Sequence, residues 1–206
     1  LEVDLNPEAA FQIGKTIRDE GIYPGTENLY DHIDNEAKKL FLSYIKKRGL
    51  PETGLIKFKP GILSMTLAAA ELHYLGLKEE YGIDLYFTQK ARIAKKPIVE
   101  LESVAQQMQL LLNIPDESKF LKYTLLSMDS LSGQFNEMMT AWKQGDSARL
   151  HKIFYDQPLR KYPDARKVMV ELVDKRNMKM LEKIKSFLAS DKIYFVVVGS
   201  GHLTGE

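Results

Sequence analysis

Lys192–Glu206, KIYFVVVGSGHLTGE, is the stretch whose reading decides the fold. Ile193–Val198 holds nothing charged and is rich in Val. A continuous apolar run of this length predicts a strand buried on both faces of a parallel sheet. The run breaks into Gly199-Ser200-Gly201-His202. The two glycines free the backbone where the strand ends. In open α/β sheets the ligand crevice lies outside the carboxyl ends of the strands, which is where this reading puts His202.

Two other segments share that pattern. At the N-terminus, LEVDLN alternates Leu1, Val3 and Leu5 with Glu2 and Asp4, the period of a strand. Lys96–Glu102, KPIVELE, predicts another strand ending in acid. Between the three lie long helical patterns. Asn6 and Pro7 open the first, and Asp34 caps Asn35–Arg48, with Gly49 just beyond. Ile62–Leu75 is apolar nearly all round, which predicts a central helix with His73 buried in it. Asp116–Trp142 is long and helical, with Gly133 as its weak point, and Asp146 caps a short helix to Phe154. A final amphipathic helix covers about Ala165–Ala189. Together these predict an α/β fold: one mostly helical domain, residues 1–206, around a small, largely parallel sheet. The chain opens inside a strand and stops a few residues past another, which reads as a fragment or processed form truncated at both ends.

With 44% hydrophobic and 28% charged residues, the composition is that of a globular domain. A net charge of +1 without a basic stripe argues against a nucleic-acid partner. Lys46-Lys47-Arg48, the one basic cluster, closes a predicted helix and complements its negative end. Without cysteine there is no disulfide, Cys-ligated zinc or thiol nucleophile. No apolar run approaches the roughly 20 residues that span a bilayer. Gly-Ser-Gly lacks the third glycine and following helix of a dinucleotide fingerprint, and neither a Gly-x-Ser-x-Gly elbow nor a phosphate loop occurs.

The predicted strands all end in ionisable residues: Glu2 and Asp4, Glu100 and Glu102, and His202. Set side by side, they bring carboxylates and an imidazole to one edge, the donor set of a divalent-metal or acid–base site. Each carboxylate taken singly reads equally well as a cap or a solvated charge. Asn177 sits inside the final helix, where Asn is a poor former, next to Arg176. His32 and His151 read as surface residues in polar helical surroundings.

On these residues the chain resembles the TraB/GumN family, in its bacterial GumN-like branch; the Tiki Wnt-cleaving proteases are animal relatives. The resemblance runs almost end to end: LEVDLN, YGIDLYF, KKPIVELES with Gln107 five residues after Glu102, AWKQGD, KRNMKMLEKI and FVVVGSGHLTGE, in that order. It implies a metal-dependent hydrolase, of peptidase type, acting on a peptide or small molecule outside the cytoplasm, in the periplasm or at a membrane anchor. Gly199-Ser200-Gly201-His202 matches the second of the family's two Gly-x-x-His motifs; the first would lie upstream of Leu1. By this resemblance His202 and Glu2 ligate a divalent metal ion. Glu2 or Glu102 acts as general base, Arg176 or Asn177 polarises the carbonyl, and Gly199 and Gly201 let the backbone approach. Two alternatives stand beside it: an extracytoplasmic protein that binds a ligand or peptide without catalysis, and an accessory protein of polysaccharide export.

Overall fold

The computed structural model describes residues 1–204, the side chains at 131 and 132 excepted. Gly205 and Glu206, the end of the FVVVGSGHLTGE motif, lie outside the described residues. The principal helices are Pro7–Glu20, Asn35–Arg48, Pro60–Tyr74, Ile83–Ile93, Val104–Leu112, Glu117–Gln144 and Lys175–Leu188. The chain divides into two compact units. One comprises Pro7–Gly76 and Ala105–Gly133; the other comprises Leu1–Asn6, Leu77–Val104 and Gln134–Glu206. The last of the four boundaries along the chain falls after Gly133, inside the longest of the described helices.

In the Pro7–Gly76 and Ala105–Gly133 unit the local signals act as read. Asp34 has extended backbone, and its Oδ1 accepts from the Ala37 N–H at 2.8 Å, which satisfies a donor the helix cannot. Gly49 ends that helix at φ 66°, the left-handed region where a Cβ would be strained. Ala37, Phe41, Tyr44 and Ile45 recur at helical spacing and are buried. They pack with Leu29, Leu63 and Leu67, and with Leu121, Leu125 and Met128. Burying each of the larger side chains stabilises the fold by about 1.5–3 kcal/mol.

Pro60–Tyr74 is central to this core, but His73 is exposed, contrary to the expectation of a buried ring. Leu63, Leu67 and Glu71 follow one another at four-residue spacing and define the buried face. His73 lies two positions past Glu71, about 200° round the helix.

The other unit corrects the fold class. Among the described residues there is no strand and no sheet; the architecture is helical rather than α/β. Leu1–Leu5, Pro97–Leu101 and Ile193–Val198 are irregular segments. A few backbone bonds join them: Glu2 N–H to Val197 O at 3.0 Å, Leu101 N–H to Leu1 O at 2.9 Å, and Glu102 N–H to Glu2 O at 2.9 Å. These bonds bring the segments side by side without the continuous ladder that makes a sheet. The apolar run predicts burial on both faces, yet Ile193 is fully exposed and Phe195 is 71% exposed. Unbroken apolar sequence shows only that a segment tolerates burial, because burial also needs layers on both faces.

Two wide helical turns had no signature in the sequence. Lys152–Asp156 and Val170–Asp174 are π-helical, so the backbone bond reaches back five residues, as from Lys175 N–H to Val170 O. The helix read as Ala165–Ala189 is therefore Arg166–Met169, the π turn, and Lys175–Leu188 in succession.

Candidate functional site

Five of the residues singled out from the sequence meet within the unit that holds both chain ends. Glu2 and Glu102 are set next to each other by the bond from Glu102 N–H to Glu2 O. Their carboxylates share one guanidinium. Arg176 Nε donates to both oxygens of Glu102, at 3.1 and 2.9 Å, and Nη2 donates to Glu102 Oε2 at 2.7 Å. The same Nη2 donates to Glu2 Oε1 at 2.5 Å. Nη1 donates to the Leu172 carbonyl at 3.0 Å, inside the π turn. Arg176 is thus held at three of its faces, and its planar fork suits the two-point contact with Glu102. Burial works against its charge, but Glu102 and then Glu2 outweigh this and raise its pKa above the ordinary arginine value.

Asn177 is the neighbour that completes the arrangement. His202 Nδ1 and Asn177 Oδ1 are 2.6 Å apart; the amide oxygen can only accept, so the ring proton sits on Nδ1. Nε2 then carries a lone pair and faces Glu2 Oε1 at 3.8 Å. The imidazole side chain is only 11% exposed. Burial pushes its pKa below the usual histidine range; the Glu2 charge opposes this, the Arg176 charge adds to it, and Glu102 opposes it. Burial therefore favours the uncharged ring.

This shift has a consequence for stability with a definite sign. A depressed folded-state pKa stabilises the native state fully above the unfolded value of 6.5, and the contribution is lost as pH falls through the folded pKa. Denaturant midpoints measured from about pH 7 down to about pH 5 are expected to fall in the wild type. In His202→Gln they should fall less over that window; equal slopes in the two proteins would rule the effect out.

The glycines hold the loop rather than open space. Gly199 N–H donates to Glu2 Oε2 at 3.2 Å. A Cβ there would stand 3.6 Å from Glu2 Oε2 and 3.7 Å from His202 Cδ2, ordinary contact, and at Gly201 it would meet nothing within 4 Å. Close backbone approach is therefore not reserved for glycine at either position.

Sequence reasoning missed Tyr155. It lies on the first π turn, is buried, and donates its hydroxyl proton to the Gly201 carbonyl at 2.8 Å, bracing the residue before His202. The ring of His151 stacks on it at 5.0 Å. No periodicity marks Tyr155, because an aromatic in a helix reads as core. Asp4 and Glu100 take a separate path: Asp4 pairs with Arg92 at 2.8 Å, and Glu100 accepts from Asp4 N–H at 3.0 Å.

The donors do not fit a divalent metal ion in this arrangement. Both oxygens of Glu102 and both of Glu2 already accept hydrogen bonds, and His202 has given Nδ1 to Asn177. Nε2 of His202 lies 3.8 Å from Glu2 Oε1, an oxygen that Arg176 Nη2 already engages. Among the described residues no three of His, Cys, Asp and Glu group as a metal-binding set.

A chain whose two ends and a distant helix meet in a Glu–Arg–Glu and Asn–His cluster can be placed by comparison. It belongs to the TraB/PrgY/gumN family, whose model matches residues 1–206. It is 30% identical over 189 residues to the "Uncharacterized protein YbaP" of Escherichia coli (strain K12) and to that of Shigella flexneri. The match covers 89% of this chain and 67% of each relative. No solved structure matches it. Among the described residues, no helix is long and apolar enough to cross a membrane.

Proposed function

We propose that the cluster is the polar centre of a hydrolase acting on a peptide or small-molecule substrate. The observation that carries this reading is the placement of His202: Nδ1 lies 2.6 Å from Asn177 Oδ1, Nε2 is turned to a carboxylate, and burial favours the uncharged ring. Such a ring can take a proton from an attacking water at Nε2, and Glu2 would stabilise the imidazolium that forms. Arg176 and Asn177 then serve as positioning residues, since the guanidinium is committed to two carboxylates and the amide oxygen to the ring. Tyr155 fixes the loop that carries the base.

The test is a screen of the purified chain against fluorogenic peptides and esters. His202→Ala is expected to lower any turnover by about 10²–10⁴-fold, the usual contribution of a general base. An unchanged rate in a folded variant would overturn the assignment. A second reading, capture of a peptide or small ligand without turnover, is favoured by the full engagement of Glu102 with Arg176. Chromatography of the released ligand separates the two, because a binder returns it unaltered. On the family resemblance we further propose an extracytoplasmic place of work, which fractionation of expressing cells would check.

A further inference from the structure

We propose that Arg176 is the resident cation of this cluster: its guanidinium fills the place between Glu2 and Glu102 that a divalent ion would need. While Arg176 stands, the 206-residue chain takes up no divalent ion there. The argument is geometric first. A single nitrogen, Nη2, lies 2.5 Å from Glu2 Oε1 and 2.7 Å from Glu102 Oε2, bridging the two carboxylates as an ion would. An ion ligated by the same oxygens would sit about 2.0–2.2 Å from each, in space the guanidinium already occupies.

Electrostatics points the same way. Arg176 cannot lose its proton to make room, so an incoming dication would meet a fixed positive charge. Nor can the side chain swing aside cheaply. Nε and Nη2 grip Glu102, and Nη1 is tied to the Leu172 carbonyl. Moving it would take from Glu102, which is 7% exposed, the guanidinium that both its oxygens accept from. Among the described residues, what remains for an ion is His202 Nε2 with one shared oxygen of Glu2, short of the three protein ligands of a catalytic centre.

This inference does not depend on turnover, because its readout is ion uptake. Mn²⁺ alone is offered to the wild-type chain, Glu102→Gln, His202→Ala and Arg176→Met in equilibrium dialysis, with paramagnetic resonance of the bound fraction. The wild type is expected to show no uptake that depends on Glu102 or His202. Arg176→Met should pass from no uptake to stoichiometric uptake, and adding Glu102→Gln should abolish it. Mn²⁺ held equally by the wild type, Glu102→Gln and His202→Ala lies elsewhere on the surface and agrees with the proposal. Stoichiometric wild-type uptake that vanishes in Glu102→Gln or His202→Ala overturns it, as does a folded Arg176→Met that gains no ion. Should Arg176→Met not fold, the comparison of the wild type with the other two variants still decides.

Discussion

Gly61→Ala is expected to be among the most damaging single-methyl changes in the chain, lowering stability by about 3 kcal/mol or more. By intrinsic preference the change should help, since Ala exceeds Gly within a helix by about 1 kcal/mol. Packing reverses the sign. Gly61 is buried at the start of Pro60–Tyr74, and a Cβ there would stand 1.9 Å from the Leu111 carbonyl oxygen and 2.7 Å from its carbon. A third contact, Ile114 Cδ1 at 3.1 Å, could be relieved by a rotamer change. The first two are backbone atoms at the end of Val104–Leu112, and they move only if the helix moves. Since a domain is stable by only about 5–15 kcal/mol, the loss should be plain in urea unfolding. A variant with the wild-type midpoint would show that the two helices do not touch at Gly61.

Glu71→Gln should cost about as much for an unrelated reason. Glu71 and Arg48 form an ion pair whose side chains are 1% and 7% exposed. Oε2 accepts from Arg48 Nε at 2.8 Å and from the Tyr44 hydroxyl at 2.7 Å, and Oε1 accepts from Arg48 Nη2 at 2.5 Å. The guanidinium also lies over the ring of Tyr74 at 4.2 Å. Burial first, and the neighbouring Glu71 carboxylate second, keep the Tyr44 hydroxyl protonated well above the usual tyrosine range. The Gln substitution preserves volume but leaves Arg48 charged, buried and uncompensated, a loss of about 3–5 kcal/mol. Removing both charges together, in Arg48→Met with Glu71→Leu, should be milder than Glu71→Gln alone, because most of the single-variant cost is the stranded charge. Chemical denaturation of the two variants checks the order; a double variant weaker than the single one would mean that the pair itself, not the stranded charge, stabilises this core.

The helices of this chain were largely legible because their signals are local. Asp34, Gly49 and the stripe of Ala37, Phe41, Tyr44 and Ile45 each act within a turn or two of themselves. The sheet was misread because pairing is not local. Ile193–Val198 has the composition of a buried strand, but whether it is buried depends on partners that its own residues do not specify. At the candidate site the sequence identified residues that the fold gathers, Glu2, Glu102, Arg176, Asn177 and His202. It did not identify the pairing. That Arg176 would sit between two carboxylates, and that Tyr155 would brace Gly201, depends on the wide turns before and beside them, and a π turn has no compositional mark.

That wide turn at Val170–Asp174 can be restated in genetic terms. A π turn amounts to one extra residue accommodated inside a helix. Deleting a single codon from this segment would let an ordinary α-helix close with its two flanks near their present angle, whereas a deletion within the regular helix Lys175–Leu188 would swing everything on one side about 100° round the axis relative to the other. A deletion in the wide turn would leave Arg176 and Asn177 on the same side of the helix and would disturb chiefly the Leu172 carbonyl that Arg176 Nη1 reaches. Within this segment, then, the chain has one residue to spare: a codon lost here would disturb the site less than one lost from the regular helix that follows.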